Sequence, residues 1–110
     1  MDEYVFKCLY DIQDSIKSIE NYLGEHRNFK EYDSNKFLRR AVEREFEIIG
    51  EALNRINKTQ KVEIQYYKRI ISLRNKIIHS YDNIDSVVMW EIVTNHLPIL
   101  KLEIENLLNT

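Results

Sequence analysis

The sequence predicts an all-α fold, an up-and-down bundle of four helices whose last member is kinked near Pro98. Three observations predict it. Apolar residues recur at helical spacing along four long stretches. Turn residues are nearly absent, with two glycines (Gly24, Gly50) and one proline (Pro98) in 110 residues, whereas a sandwich or barrel needs many turns. Charged residues make up 31% of the chain, somewhat above the globular average of about a quarter, as expected when every element is an amphipathic helix with one solvated face.

The first helix is expected over about 2–23, where Val5, Leu9, Ile12, Ile16, Ile19 and Leu23 alternate spacings of four and three and form a seam of the a/d type. Gly24 then reads as its C-cap. Residues 25–32 are polar and aromatic and read as a loop. Asp33 or Ser34 caps the second helix, whose apolar face runs through Leu38, Ala41, Val42, Ile48, Ile49, Ala52, Leu53 and Ile56. Gly50 inside that helix costs up to about 1 kcal/mol relative to Ala, which points to close packing by a neighbouring helix. Residues 57–60 read as a connection. The third helix is expected over about 62–79, with Tyr67, Ile70, Ile71, Ile77 and Ile78 on one stripe, followed by a turn at Asn83 and a cap at Asp85. The fourth, over about 86–108, carries Val87, Trp90, Val93, Leu97, Leu100, Ile104 and Leu107, and Pro98 breaks or kinks it. Such short connections imply antiparallel neighbours. The length allows one domain, 1–110, and no second core.

Several function classes lose support at this level. A net charge of -2, from 16 basic and 18 acidic residues, is unlike that of a nonspecific nucleic-acid binder, so any RNA-binding reading must rest on a local patch. The single cysteine, Cys8, has no partner for an internal disulfide, which fits a reducing cytosol, and it reads as a small core or edge residue. No secretory charge pattern opens the chain and no apolar run approaches the roughly 20 residues of a membrane span. The expectation is therefore a cytoplasmic protein with no membrane partner. His26, His79 and His96 are far apart in sequence, and neither a paired-cysteine nor a His-Glu-x-x-His pattern occurs, so no metal site is expected. No Gly-rich phosphate loop points to a cofactor.

The anomaly lies on the third helix. Arg74 stands three or four residues from Ile70, Ile71, Ile77 and Ile78, all on its own face. A guanidinium there is costly unless it is paired or faces a wet cleft. It either snorkels at the stripe's edge, pairs with a carboxylate such as Glu43, Glu47 or Glu51, or serves a ligand. His79 lies five residues on, about 140° around a continuous helix and roughly 7.5 Å along it. The two side chains then diverge, unless the helix ends near Ile78 or the arginine of one chain meets the histidine of another. Taken alone, His79 reads first as a cation at a helix C-terminus, and Tyr81 first as a core or rim tyrosine. From Ile64 to Tyr81 there is no acidic residue, while Lys68, Arg69, Arg74 and Lys76 are present. That basic stripe suits a phosphate-bearing ligand, although a solvated basic face is also common.

These residues carry a resemblance. Arg74, His79 and Tyr81 form Arg-x-x-x-x-His-x-Tyr, with Leu73 before it and Asn75 directly after the arginine. Arg40-Ala41-Val42-Glu43-Arg44 and Ile48-Ile49-Gly50-Glu51-Ala52 agree with it, as do Asp85, Trp90 and Leu97-Pro98. Together they resemble the HEPN superfamily, and within it the HepT-like toxins paired with a minimal nucleotidyltransferase antitoxin. The resemblance covers nearly the whole chain. It implies a HEPN-like bundle and a metal-independent endoribonuclease that acts as a homodimer, with the motifs of two protomers lining one cleft. It also implies attack by the ribose 2′-OH on the adjacent phosphodiester, and antitoxin-catalysed adenylylation of Tyr81. The chemistry of such a cleavage gives proton transfer to His79, phosphate binding and charge stabilisation to Arg74 and orientation to Asn75, while the basic stripe, and not the resemblance, offers RNA contacts from Lys68, Arg69 and Lys76. No cofactor is implied.

Two other readings stand beside it. The same stripe would serve a noncatalytic nucleotide- or partner-binding subunit of a nucleotidyltransferase complex, which the acidic net charge favours. A plain helical dimerisation module would use the Val5–Leu23 seam, but it leaves Arg74 unexplained.

Overall fold

The computed structural model describes residues 2–79 and 84–109, and among these it contains helices and no strand. The helices are α1 (Glu3–Leu23), α2 (Phe29–Ser34), α3 (Lys36–Thr59), α4 (Tyr67–His79), α5 (Ser86–Asn95) and α6 (Leu97–Leu108). The all-α bundle is as predicted, with α1, α3, α4 and the α5–α6 pair as its four arms.

The a/d seam of α1 forms the centre. Val5, Leu9, Ile12, Ile16 and Ile19 are buried, against Val42, Phe46, Ile49, Leu53 and Ile56 of α3 and Leu97, Leu100 and Ile104 of α6 in one core. Asp2 starts α1 by accepting the Val5 amide hydrogen bond at 2.9 Å. Gly24 ends it at φ 70°, a left-handed backbone that Gly adopts without a Cβ penalty. α1 and α3 run antiparallel: Tyr22, near the end of α1, donates to Glu45 in the first half of α3.

Four local expectations are corrected. Residues 29–34, within and just beyond the expected loop, form α2, because an aromatic cluster makes burial there favourable. Tyr32 and Phe29 pack on Trp90 with ring centroids 5.3 and 5.9 Å apart. With that turn helical, the cap of α3 moves to Asn35, whose Oδ1 accepts from the Leu38 amide; Asp33 and Ser34 belong to α2. α3 runs on to Thr59 through the expected connection. The third helix begins at Tyr67, not near Val62. The Gln65 amide donates to Glu103 of α6 at 2.9 Å, which ties 60–66 across the bundle and leaves Ile64 buried.

Two expectations at the chain's end hold. Asp85 caps α5 by accepting from Val87. The fourth stretch breaks at His96, and Pro98 sits in the first turn of α6, where its missing N–H costs nothing. The expected turn at Asn83 lies outside the described residues. No helix among the described residues is long and apolar enough to cross a membrane.

Candidate active site

α4 lies along α3, and the site is built where they cross. Of its expected apolar stripe only Ile70 is buried, joined by Leu73; Tyr67, Ile71 and Ile77 are partly covered and Ile78 is 43% exposed. Arg74 occupies the crossing itself. Its aliphatic stem covers Gly50 so closely that a Cβ on Gly50 would stand 2.4 Å from Arg74 Cγ. This is the close packing that a mid-helix glycine implies, and its neighbour is the anomalous arginine.

Among the described residues the guanidinium is held without a carboxylate. Its Nε is buried and has no hydrogen-bond partner among the described residues, and Nη1 donates to Asn75 Oδ1 at 2.9 Å. The candidate partners on α3 are engaged elsewhere: Glu43 with Arg40 at 3.2 Å, Glu47 with Arg44 at 2.8 Å and Glu51 with Arg55 at 2.6 Å. Arg74 therefore makes no ion pair among the described residues. Its charge remains available to an anion.

The other residues picked out by sequence fall into four groups. His79 is the exposed last residue of α4, on the same uninterrupted helix as Arg74. Helical geometry then turns the two side chains apart by about 140° within one chain. Lys68 and Lys76 are exposed. Lys76 lines a cleft of about 310 Å³ between α4 and α5, with Ser72, Leu73, Val88 and Ile92. Arg69 borders the same cleft, but its Nη2 lies 2.7 Å from Glu91 Oε2 of α5, so a carboxylate already offsets part of its charge. Tyr81 lies outside the described residues.

The sequence offered Glu43 only as a partner for Arg74, and its burial was not expected. Glu43 is only 6% exposed and lies on α3 seven residues before Gly50, hence on nearly the same face. Burial raises its pKa, an effect that the Arg40 guanidinium partly opposes. Burial also raises the pKa of Tyr32, and the Glu43 charge adds to it. The Tyr32 hydroxyl has no hydrogen-bond partner among the described residues. The available signal was an acid at core spacing, between Val42 and Phe46. Cys8 is buried, and burial raises its thiol pKa, which keeps it protonated and unreactive. Among the described residues no group of three or more His, Cys, Asp or Glu could hold a metal ion.

Comparison with known proteins gives one family. A family model described as "Ribonuclease HepT-like" matches residues 12–107. The chain is 37% identical over 99 residues to "Putative RNase MJ1380" of Methanocaldococcus jannaschii, covering 88% of this chain and 90% of that one. It is 34% identical over 101 residues to "Probable ribonuclease HepT" of Thermococcus cleftensis, covering 90% and 91%. No solved structure matches.

Proposed function

Since this chain belongs to the HepT-like ribonuclease family, we propose that it is a metal-independent endoribonuclease, the toxin of a toxin–antitoxin pair, working at a cleft shared by two copies. The observation that carries this reading is Arg74: a partly buried guanidinium with no carboxylate on it among the described residues. An arginine buried for structure alone is usually paired with a carboxylate, and a guanidinium without one keeps its charge for a phosphodiester.

Cleavage begins with the ribose 2′-oxygen attacking the adjacent phosphorus. The new P–O2′ bond forms as the P–O5′ bond breaks, leaving a 2′,3′-cyclic phosphate and a 5′-hydroxyl. A base must take the 2′-proton and an acid must protonate the leaving 5′-oxygen. His79 is the proton-transfer group, and one chain supplies only one such histidine. A two-fold axis brings two His79 and two Arg74 to one cleft, which also answers the divergence of Arg74 and His79 along a single α4. Arg74 binds the phosphate and stabilises the charge that develops on its oxygens. Asn75, through its hydrogen bond to Nη1, orients the guanidinium, and Lys68 and Lys76 draw in the RNA backbone. Adenylate attached to Tyr81 by a minimal nucleotidyltransferase antitoxin would add bulk and negative charge beside this cleft, and so exclude an anionic substrate.

A second reading, a noncatalytic nucleotide- or partner-binding subunit, is favoured by the net charge of -2 and by Glu91 offsetting part of the Arg69 charge. One assay separates the two. Unmodified protein is incubated with total RNA in EDTA beside Arg74→Ala and His79→Ala, and the fragment ends are analysed. Fragments ending in 2′,3′-cyclic phosphate, made by the wild type and by neither variant, are the expected result. Intact RNA across several RNA pools would transfer the assignment to the binding subunit.

A further inference from the structure

Glycine is among the poorest residues for a helix interior, yet Gly50 is buried near the middle of the 24-residue α3. What it permits is read on Arg74. A Cβ at position 50 would lie 2.5 Å from Arg74 Cβ, 2.4 Å from Cγ and 3.3 Å from Cδ, where carbon atoms rest at about 3.5–4.0 Å. The contact with Cγ could be relieved by rotating Arg74 about χ1, which would swing the guanidinium into another rotamer well. The contact with Cβ could not, since that atom is fixed to the backbone of α4. Only a movement of α4 away from α3 by roughly 1 Å would relieve it. Either response displaces the guanidinium.

Little else holds that group. Its Nε is buried without a partner among the described residues, its Nη1 is tied to Asn75, its own neighbour on α4, and the glutamates of α3 are committed to Arg40, Arg44 and Arg55. Asn75 moves with α4, so it cannot register Arg74 against the rest of the bundle. The stem lying on Gly50 can.

We propose that Gly50 is a positioning residue for the reaction: having no side chain, it forms the seat on which the Arg74 stem lies, and this seat sets where the guanidinium meets the scissile phosphate. The proposal rests on the ribonuclease reading for what Arg74 does, but the seat can be read on Arg74 directly. The test is Gly50→Ala in the full-length dimer, followed by steady-state cleavage and by the ¹⁵N resonance of the Arg74 Nε–H, assigned by its loss in Arg74→Lys. A displacement of about 1 Å predicts a fall in kcat/KM of roughly ten- to a hundredfold, carried mainly by kcat, and an Nε–H that shifts and exchanges faster with solvent. An Nε–H with wild-type shift and exchange overturns the seat, whatever kcat does. A shifted Nε–H with wild-type kcat overturns its role in catalysis. Should Gly50→Ala not fold, Gly50→Ala/Arg74→Gly, which removes both colliding carbons, is compared with Arg74→Gly: helicity recovered to that of Arg74→Gly supports the collision, and a double variant that stays unfolded where Arg74→Gly folds refutes it. Were the wild type inert toward RNA, the ribonuclease reading would fail by itself, and the Nε–H would still decide the seat.

Discussion

Glu91 should restrain RNA binding, and removing its charge should strengthen it. Among the described residues, Arg69 is the one of the four cations Lys68, Arg69, Arg74 and Lys76 that is held by a carboxylate, 2.7 Å from Glu91, with the two side chains 47% and 46% exposed. A pair so open to solvent contributes at most about 1 kcal/mol to stability, so Glu91→Gln leaves the fold intact while releasing Arg69. Each phosphate neutralised on a single strand contributes about -0.7 to the slope of log K against log salt. Between about 50 and 200 mM salt that slope is worth a factor of roughly 2.6 in affinity per contact. Lys68→Gln and Lys76→Gln should each make the slope shallower by about 0.7. Arg69→Gln should leave it near the wild-type value, and Glu91→Gln should steepen it by about 0.7. Fluorescence anisotropy of a labelled, fully 2′-O-methylated single-stranded oligonucleotide in EDTA gives these slopes, because without a 2′-OH the probe cannot be cleaved. Equal losses from Arg69→Gln and Lys76→Gln would refute the claim that Glu91 sequesters Arg69. Slopes unaffected by both lysines would remove α4 from the RNA interface.

Two further predictions address the scaffold. Glu43 has a pKa raised by burial above its ordinary value of 4.5, so the folded state binds that proton more tightly than the unfolded chain. Its contribution to stability is full below 4.5 and is lost as pH rises through the folded-state pKa; urea denaturation across this window should show a fall for the wild type that is missing in Glu43→Gln, and parallel curves would contradict the burial effect. Asn35→Ala should cost about 1 kcal/mol, the usual value of an N-cap, while Ser34→Ala should stay within about 0.5 kcal/mol; thermal melts that reverse this order would return the cap of α3 to Ser34.

The helices were legible in the sequence because their information is local. A 3.6-residue period places Val5, Leu9, Ile12, Ile16 and Ile19 on one face whatever they pack against, and all five are buried. Gly24, Asp85 and Pro98 mark boundaries through their own backbone chemistry, and each does so here. The expectations failed where a remote residue decides. α2 forms because Trp90, some sixty residues away, gives Phe29 and Tyr32 a surface to cover, and α4 starts late because Glu103 captures the Gln65 amide.

The candidate site divides the same way. The motif Arg74-x-x-x-x-His79-x-Tyr81, the basic stripe and the oddity of a guanidinium among isoleucines belong to the sequence alone. That Arg74 rests on Gly50 and that Glu91 claims Arg69 was decided by the tertiary structure. Spacing along one helix determines which residues share a face. Which residue of another helix meets that face depends on how two surfaces interlock, and that is a property of the pair.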